Sequence, residues 1–136
     1  MLDGGAGNVK ADDVPVGLVT RRVLLVDDDV HVSRALARVL RRFCEVEIAS
    51  SVEDAERYLA QDARFDLILC DLILPERGGL DLYRGLVAQG STLARRIAFM
   101  TGLGDDAPEA EECREVPCLG KPLDITRVHA LLDAFS

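Results

Sequence analysis

FDLILCDLILP, residues Phe65 to Pro75, runs through a short apolar segment to one aspartate, Asp71, and closes on a proline four residues later. Leu67, Ile68, Leu69 and Cys70 are too few for an independent helix and are bracketed by charge, so they read as a strand buried on both faces. Asp71 then stands at its carboxyl end. In open α/β sheets that edge, where strands hand over to loops, is where ligands and chemistry gather.

The flanking chain supplies the rest of such a sheet. Arg22 to Val26 is an apolar run ending in Asp27, Asp28 and Asp29, a second buried strand that ends in acid. Val32, Ala35, Leu36, Val39, Leu40 and Phe43 recur at three- and four-residue steps and predict an amphipathic helix, with Arg34, Arg38, Arg41 and Arg42 on the wet side and acids near its start to suit the dipole. Cys44 to Ala49 alternates apolar and acidic residues and predicts a strand. Ser50 with Glu53 three residues later is a capping-box pattern for a helix through about Ala60.

Beyond Asp71, Pro75 to Gly79 reads as a loop, and Leu80, Leu82, Tyr83, Leu86 and Val87 define one face of a helix that Gly90 can end. Arg96 to Met100 predicts a strand ending at Thr101 and Gly102. Asp105 to Arg114 can form a short acidic helix starting near Pro108. Val116 to Leu119 predicts a fifth strand, closed by Gly120, Lys121 and Pro122, and Asp124 caps a last helix bearing Ile125, Val128, Leu131 and Leu132. Five strands alternating with five helices imply a doubly wound parallel sheet covered on both faces through right-handed crossovers. Residues 1–20 mix Gly, Asp and Val without sustained periodicity and read as a flexible leader or linker, leaving 21–136 as the domain.

Composition excludes several classes. At 136 residues and 49% hydrophobic, the chain has length for one domain with a substantial core. A net charge of −8 argues against nucleic-acid binding, which usually shows a basic patch or stripe, and no helix-turn-helix follows the last strand. No apolar stretch approaches the ~20 residues of a membrane span, and no signal-peptide layout opens the chain, so a cytoplasmic protein is expected. Cys44, Cys70, Cys113 and Cys118 lack CxxC spacing and histidine partners, and read as reduced thiols rather than zinc ligands.

Four strand ends carry chemical groups: Asp27 with Asp28, Asp71, Thr101, and Lys121. Singly, each has an ordinary alternative as a helix cap, a turn former or a loop residue. Jointly, the doubly wound topology brings them to one crevice. Three carboxylates there would repel, each pair by ~4 kcal/mol at a separation of about 4 Å and an effective dielectric of about 20, so positive charge must sit among them. A magnesium ion fits, because it prefers oxygen ligands and typically takes one or two carboxylates plus a phosphate oxygen. Lys121 adds a point charge, Thr101 a hydroxyl donor, and Gly102 room for a tetrahedral group. The set suits transfer of a phosphoryl group to Asp71.

From Arg22 to Phe135 the chain resembles the receiver domain of two-component response regulators. LLVDDD, LILCDLILPERGG, FMTG and GKP carry the resemblance, in this order and spacing. It implies a flavodoxin-like fold of strand order 2-1-3-4-5 with Asp71 as phosphoacceptor. It also implies magnesium held by Asp28, Asp71 and the backbone carbonyl of Ile73, with Asp27 assisting through water, and Thr101 and Lys121 serving the phosphoryl group. The implied phosphodonor is a histidine kinase's phosphohistidine or a small phosphorylated molecule, with slow self-hydrolysis afterwards, a downstream protein target and possible homodimerisation. One departure stands at the switch: where the family usually has Tyr or Phe three residues before the lysine, this chain has Cys118, so the signal is expected to pass by another rearrangement of the face formed by 105–114, the last strand and the last helix. Ile73 and Leu103, two residues beyond Asp71 and Thr101, flank the attacking water's path in this family; both are apolar, and a long-lived phosphoryl group is expected.

Two other functions compete. Asp27-Asp28-Asp29 is also a D-x-D after a first strand and, with Thr101 and Lys121, looks like the motifs of haloacid-dehalogenase-type phosphohydrolases. There Asp27 would be the nucleophile and Asp29 the acid/base, but the acidic pair Asp105 and Asp106 precedes the lysine rather than following it. A pseudo-receiver, an interaction module that no longer needs phosphate, is the second. Free-standing regulator, carboxyl-terminal receiver of a hybrid kinase and receiver without its output domain all remain open.

Overall fold

The computed structural model describes residues 20–102 and 116–135. Five parallel strands lie in the order β2-β1-β3-β4-β5: β1 Arg22–Val26, β2 Glu45–Ala49, β3 Leu67–Asp71, β4 Ile97–Thr101 and β5 Cys118–Gly120. Four helices are described, α1 Val30–Leu40, α2 Val52–Gln61, α3 Gly79–Ala88 and α4 Ile125–Ala134, together with a 3-10 turn at Thr92–Arg95. The acidic helix expected over 105–114 and the leader over 1–20, except Thr20, lie outside the described residues. This is the flavodoxin-like order expected for the chain.

Every residue of β3 and of β4 is buried, which a strand achieves only at the centre of a sheet covered on both faces. Side chains alternate. Leu24, Val26, Ile68, Cys70, Ile97 and Phe99 meet α2 and α3, whereas Val23, Leu25, Leu67, Leu69, Ala98 and Met100 meet α1 and α4. Asp71 and Thr101 are themselves the last residues of their strands, one residue further than the apolar runs predict, because backbone pairing continues past the last apolar side chain.

Two helix predictions need correction. α2 is capped by Ser51, not Ser50: Ser51 Oγ accepts the Asp54 N–H at 3.0 Å, and Asp54 Oδ2 accepts the Ser50 N–H at 3.1 Å. That one-residue shift carries Val52 and Ala55 into the core. Of the predicted α1 face, Leu40 is buried and Leu36 and Phe43 pack against the core, but Ser33 and Ala37 turn inward in place of Val32 and Val39, which are 42% and 36% exposed. Small residues let the helix lie close on the sheet, and the buried Ser33 hydroxyl is satisfied by donating to the Val30 carbonyl at 3.2 Å. Phe43 lies past the helix end and stacks on His129 with ring centroids 3.8 Å apart. At the predicted end of α3, Gly90 takes φ +67°, a conformation that glycine adopts without steric cost.

Candidate functional site

Strand register assembles the site. Asp27 follows β1 directly, and its N–H donates to the Ala49 carbonyl at 3.0 Å, fixing it at the sheet edge. Asp71 pairs with Met100, so Thr101 stands one residue beyond it on the neighbouring strand. Thr101 in turn pairs with Gly120 and accepts the Lys121 N–H on its carbonyl at 3.0 Å, which places the lysine above the same edge. Carboxylate oxygens of Asp27, Asp28 and Asp71 lie within 4.8 Å of one another. Asp27, Asp71 and Thr101 are buried, while Asp28 is exposed.

Lys121 is the counter-charge. Its Nζ donates to Asp71 Oδ2 at 2.7 Å and to Asp27 Oδ2 at 3.4 Å. Burial alone would lower the lysine's pKa, but the hydrogen bond to Asp71 and the charges of Asp71 and Asp27 outweigh it and hold the ammonium above its ordinary value. Burial raises the pKa of Asp27, with the Asp71 charge adding to it, against the lowering by the Asp29 N–H and by Lys121. The second oxygen of Asp71 accepts the Ile73 N–H at 3.2 Å. Ile73's side chain is 51% exposed beside it.

These three hard carboxylates at the carboxyl edge of the sheet are the donor set that magnesium prefers, and Lys121 leaves Asp28 and one oxygen each of Asp27 and Asp71 outside its hydrogen bonds. The residues therefore fit the ion. Asp29, the acid/base of the hydrolase alternative, is occupied otherwise: its Oδ1 accepts the N–H groups of His31 and Val32 and caps α1. Asp105 and Asp106 lie outside the described residues.

The predicted site residues do not all converge. Asp27, Asp28, Asp71 and Lys121 meet, Thr101 stands at the adjoining strand end, and Ile73 is tied in through its backbone. Cys118 is elsewhere: it pairs with Phe99 on β4, half-buried against the core layer that also holds Tyr83. Leu103 lies outside the described residues. Cys44, Cys70 and Cys118 are not disulfide-bonded. Burial pushes Cys44 up to about 11 and raises Cys70 far above the ordinary thiol range, so neither is a thiolate at neutral pH. The sequence reading missed the ion pair between Arg77, in the loop after β3, and Glu56 on α2. No local pattern links residues 21 apart, and the pair belongs to no motif.

Residues 23–133 match the family of response regulator receiver domains. The chain belongs to this family. Among curated relatives, the response regulator PilR of Pseudomonas aeruginosa is 31% identical over 115 residues, covering 82% of this chain and 25% of PilR. The transcriptional regulatory protein CiaR of Streptococcus pneumoniae is 32% identical over 117 residues, covering 82% of this chain and 51% of CiaR. The chain thus spans a quarter to a half of the length of these two relatives. A crystal structure of a response regulator receiver protein from Pseudomonas putida superposes with a TM-score of 0.73 at 30% identity, covering 86% of this chain and 98% of that one. Receiver domains are signalling modules of two-component systems; response regulators receive phosphate from histidine kinases and act on downstream targets. No helix among the described residues is long and apolar enough to cross a membrane.

Proposed function

We propose that this receiver takes a phosphoryl group from the phosphohistidine of a histidine kinase onto Asp71 in a magnesium-dependent reaction. The observation that carries the reading is the pairing of a buried Asp71 carboxylate with Lys121 at 2.7 Å inside a cluster of three aspartates. A carboxylate oxygen of Asp71 attacks phosphorus, the new O–P bond forms as the P–N bond breaks, and the imidazole leaves with its electron pair. Asp28, Asp71 and the Ile73 carbonyl would hold the ion, with Asp27 acting through water. Bound there, magnesium supplies positive charge to the phosphoryl oxygens and offsets repulsion within the cluster. Lys121 exchanges its carboxylate partner for a phosphoryl oxygen, and the Thr101 hydroxyl donates to another.

Thr101 is then the residue through which the phosphorylated state is sensed, and Cys118 marks the face that rearranges in place of an aromatic swing. Residues 21–136 form the receiver unit and 1–20 a leader or linker. Exchange of deuterium should change on the face carrying Cys118 and α4 on phosphorylation; no change there would remove that face as the output surface.

The test is intact mass and peptide mapping after incubation with acetyl phosphate, with and without magnesium. A single phosphoryl adduct on Asp71 is expected, dependent on magnesium and lost in Asp71→Asn. Absence of any adduct, with a cognate kinase also failing, would leave a phosphate-independent interaction module, and an adduct on Asp27 would restore the hydrolase.

A further inference from the structure

The loop that leaves Asp71 is strained. Glu76 adopts φ +67°, a left-handed conformation unusual for a residue with a side chain, and the Arg77 N–H donates to the Pro75 carbonyl at 2.7 Å across it. Such a turn persists only where its surroundings over-determine it. Here the far side is pinned by Gly78, whose N–H donates to Asp81 Oδ2 at 3.0 Å, and by the Gly79 N–H on the Leu72 carbonyl at 3.0 Å. The near side is pinned by the Ile73 N–H on Asp71. The turn itself is held from outside the loop by Arg77, which makes a two-pronged pair with Glu56 on α2, Nη1 to Oε1 at 2.8 Å and Nη2 to Oε2 at 2.9 Å. Parallel paired N–H groups fix direction as well as distance, which a single point charge would not.

We propose that Glu56 and Arg77 are positioning residues: their ion pair anchors the strained turn to α2 and so holds the Ile73 backbone in register with the Asp71 carboxylate. This rests on the phosphoacceptor reading for its consequence, since Ile73 is where the loop would meet the ion, but the anchoring itself does not depend on metal. Both side chains are nearly half exposed, at 39% and 47%, so the pair acts on the loop's geometry rather than on global stability.

The test compares wild type, Glu56→Gln, Arg77→Met and, as control, Arg57→Met, which removes two ion pairs within α2, to Glu53 and Asp54, that do not reach the loop. In chelated protein, amide exchange at Ile73 and at Arg77–Gly79 is expected to quicken about two- to fivefold in the two clamp variants and to stay unchanged in the control, the factor an exposed ion pair can contribute. Magnesium affinity by calorimetry is expected to fall by about the same factor in the clamp variants alone, with the melting temperature of each within the spread set by the control. Unchanged loop exchange in both clamp variants overturns the proposal, as does unchanged affinity where wild type binds magnesium. A wild type that binds no magnesium refutes the metal reading, and the exchange measurement still decides the clamp.

Discussion

Asp27 is a buried carboxyl. Its pKa is raised above the ordinary 3.8, chiefly by burial. A carboxyl with a raised folded-state pKa binds its proton more tightly folded than unfolded, so its cost to stability is fully present above that raised pKa and is relieved as pH falls through it toward 3.8. Asp27→Asn keeps an oxygen for the Asp29 N–H and removes the charge. In chelated protein at neutral pH it should raise stability by on the order of 1 kcal/mol, a few degrees in melting temperature, with the gain shrinking in acid. A lower melting temperature than wild type would show that the contact with Lys121 outweighs the desolvation. Ile73 makes a second residue-level case. An apolar side chain half-exposed beside Asp71 cannot orient a water, so Ile73→Asn should shorten the lifetime of the phosphorylated protein several-fold in a label-loss assay.

Within α3, two glycines in the same helix should respond in opposite ways. A Cβ on Gly85 would meet nothing within 4 Å, and a mid-helix glycine costs roughly 0.5–1 kcal/mol relative to alanine, so Gly85→Ala should stabilise by about that amount in denaturant unfolding. A Cβ on Gly79 would lie 2.7 Å from the Asp71 carbonyl oxygen and 3.1 Å from the Phe99 ring. Gly79→Ala should therefore cost ~1–3 kcal/mol, because the clash is with backbone and with a ring that Tyr83 braces edge-on. This close approach sets where the helix can start after β3. The helix starts were legible where the cap acts on its own neighbours, as at Asp124, whose Oδ1 accepts the Thr126 N–H. At Ser50 and Ser51 two adjacent serines offer the same chemistry, and the choice falls to whichever buries Val52.

Across the whole molecule, burial of the Asp27 carboxylate works against folding while the strands and helices beneath it drive it, and an ion that binds only the assembled site should stabilise the entire fold. With magnesium at about a hundredfold above its dissociation constant the gain is about 2.7 kcal/mol. The melting temperature should climb with magnesium concentration in wild type and stay flat once Asp28 and Asp71 are both replaced by Asn; a climb in that variant would place the ion elsewhere. The cluster exists only because four strand ends, up to 94 residues apart in the case of Asp27 and Lys121, reach one edge.

Local patterns by themselves determined four of the five strands to within a residue, the sites of Asp27, Asp28, Asp71, Thr101 and Lys121 at or just past strand ends, and the stop at Gly90; the fifth strand, expected over Val116–Leu119 with Gly120 closing it, instead runs Cys118–Gly120, where pairing with Phe99–Thr101 of β4 sets its bounds. These signals depend on neighbours a few residues away, where period, caps and turn residues act directly. Tertiary structure alone decided the rest. It chose which face of α1 meets the sheet, since Ser33 and Ala37 pack closer than Val32 and Val39 could, and hydropathy ranks them the other way. It set the 3-10 turn before β4, which forms where Leu93 enters the core. It also brought Glu56 to Arg77, an ion pair whose partners meet only after α2 and the loop beyond β3 have docked on the same face of the sheet.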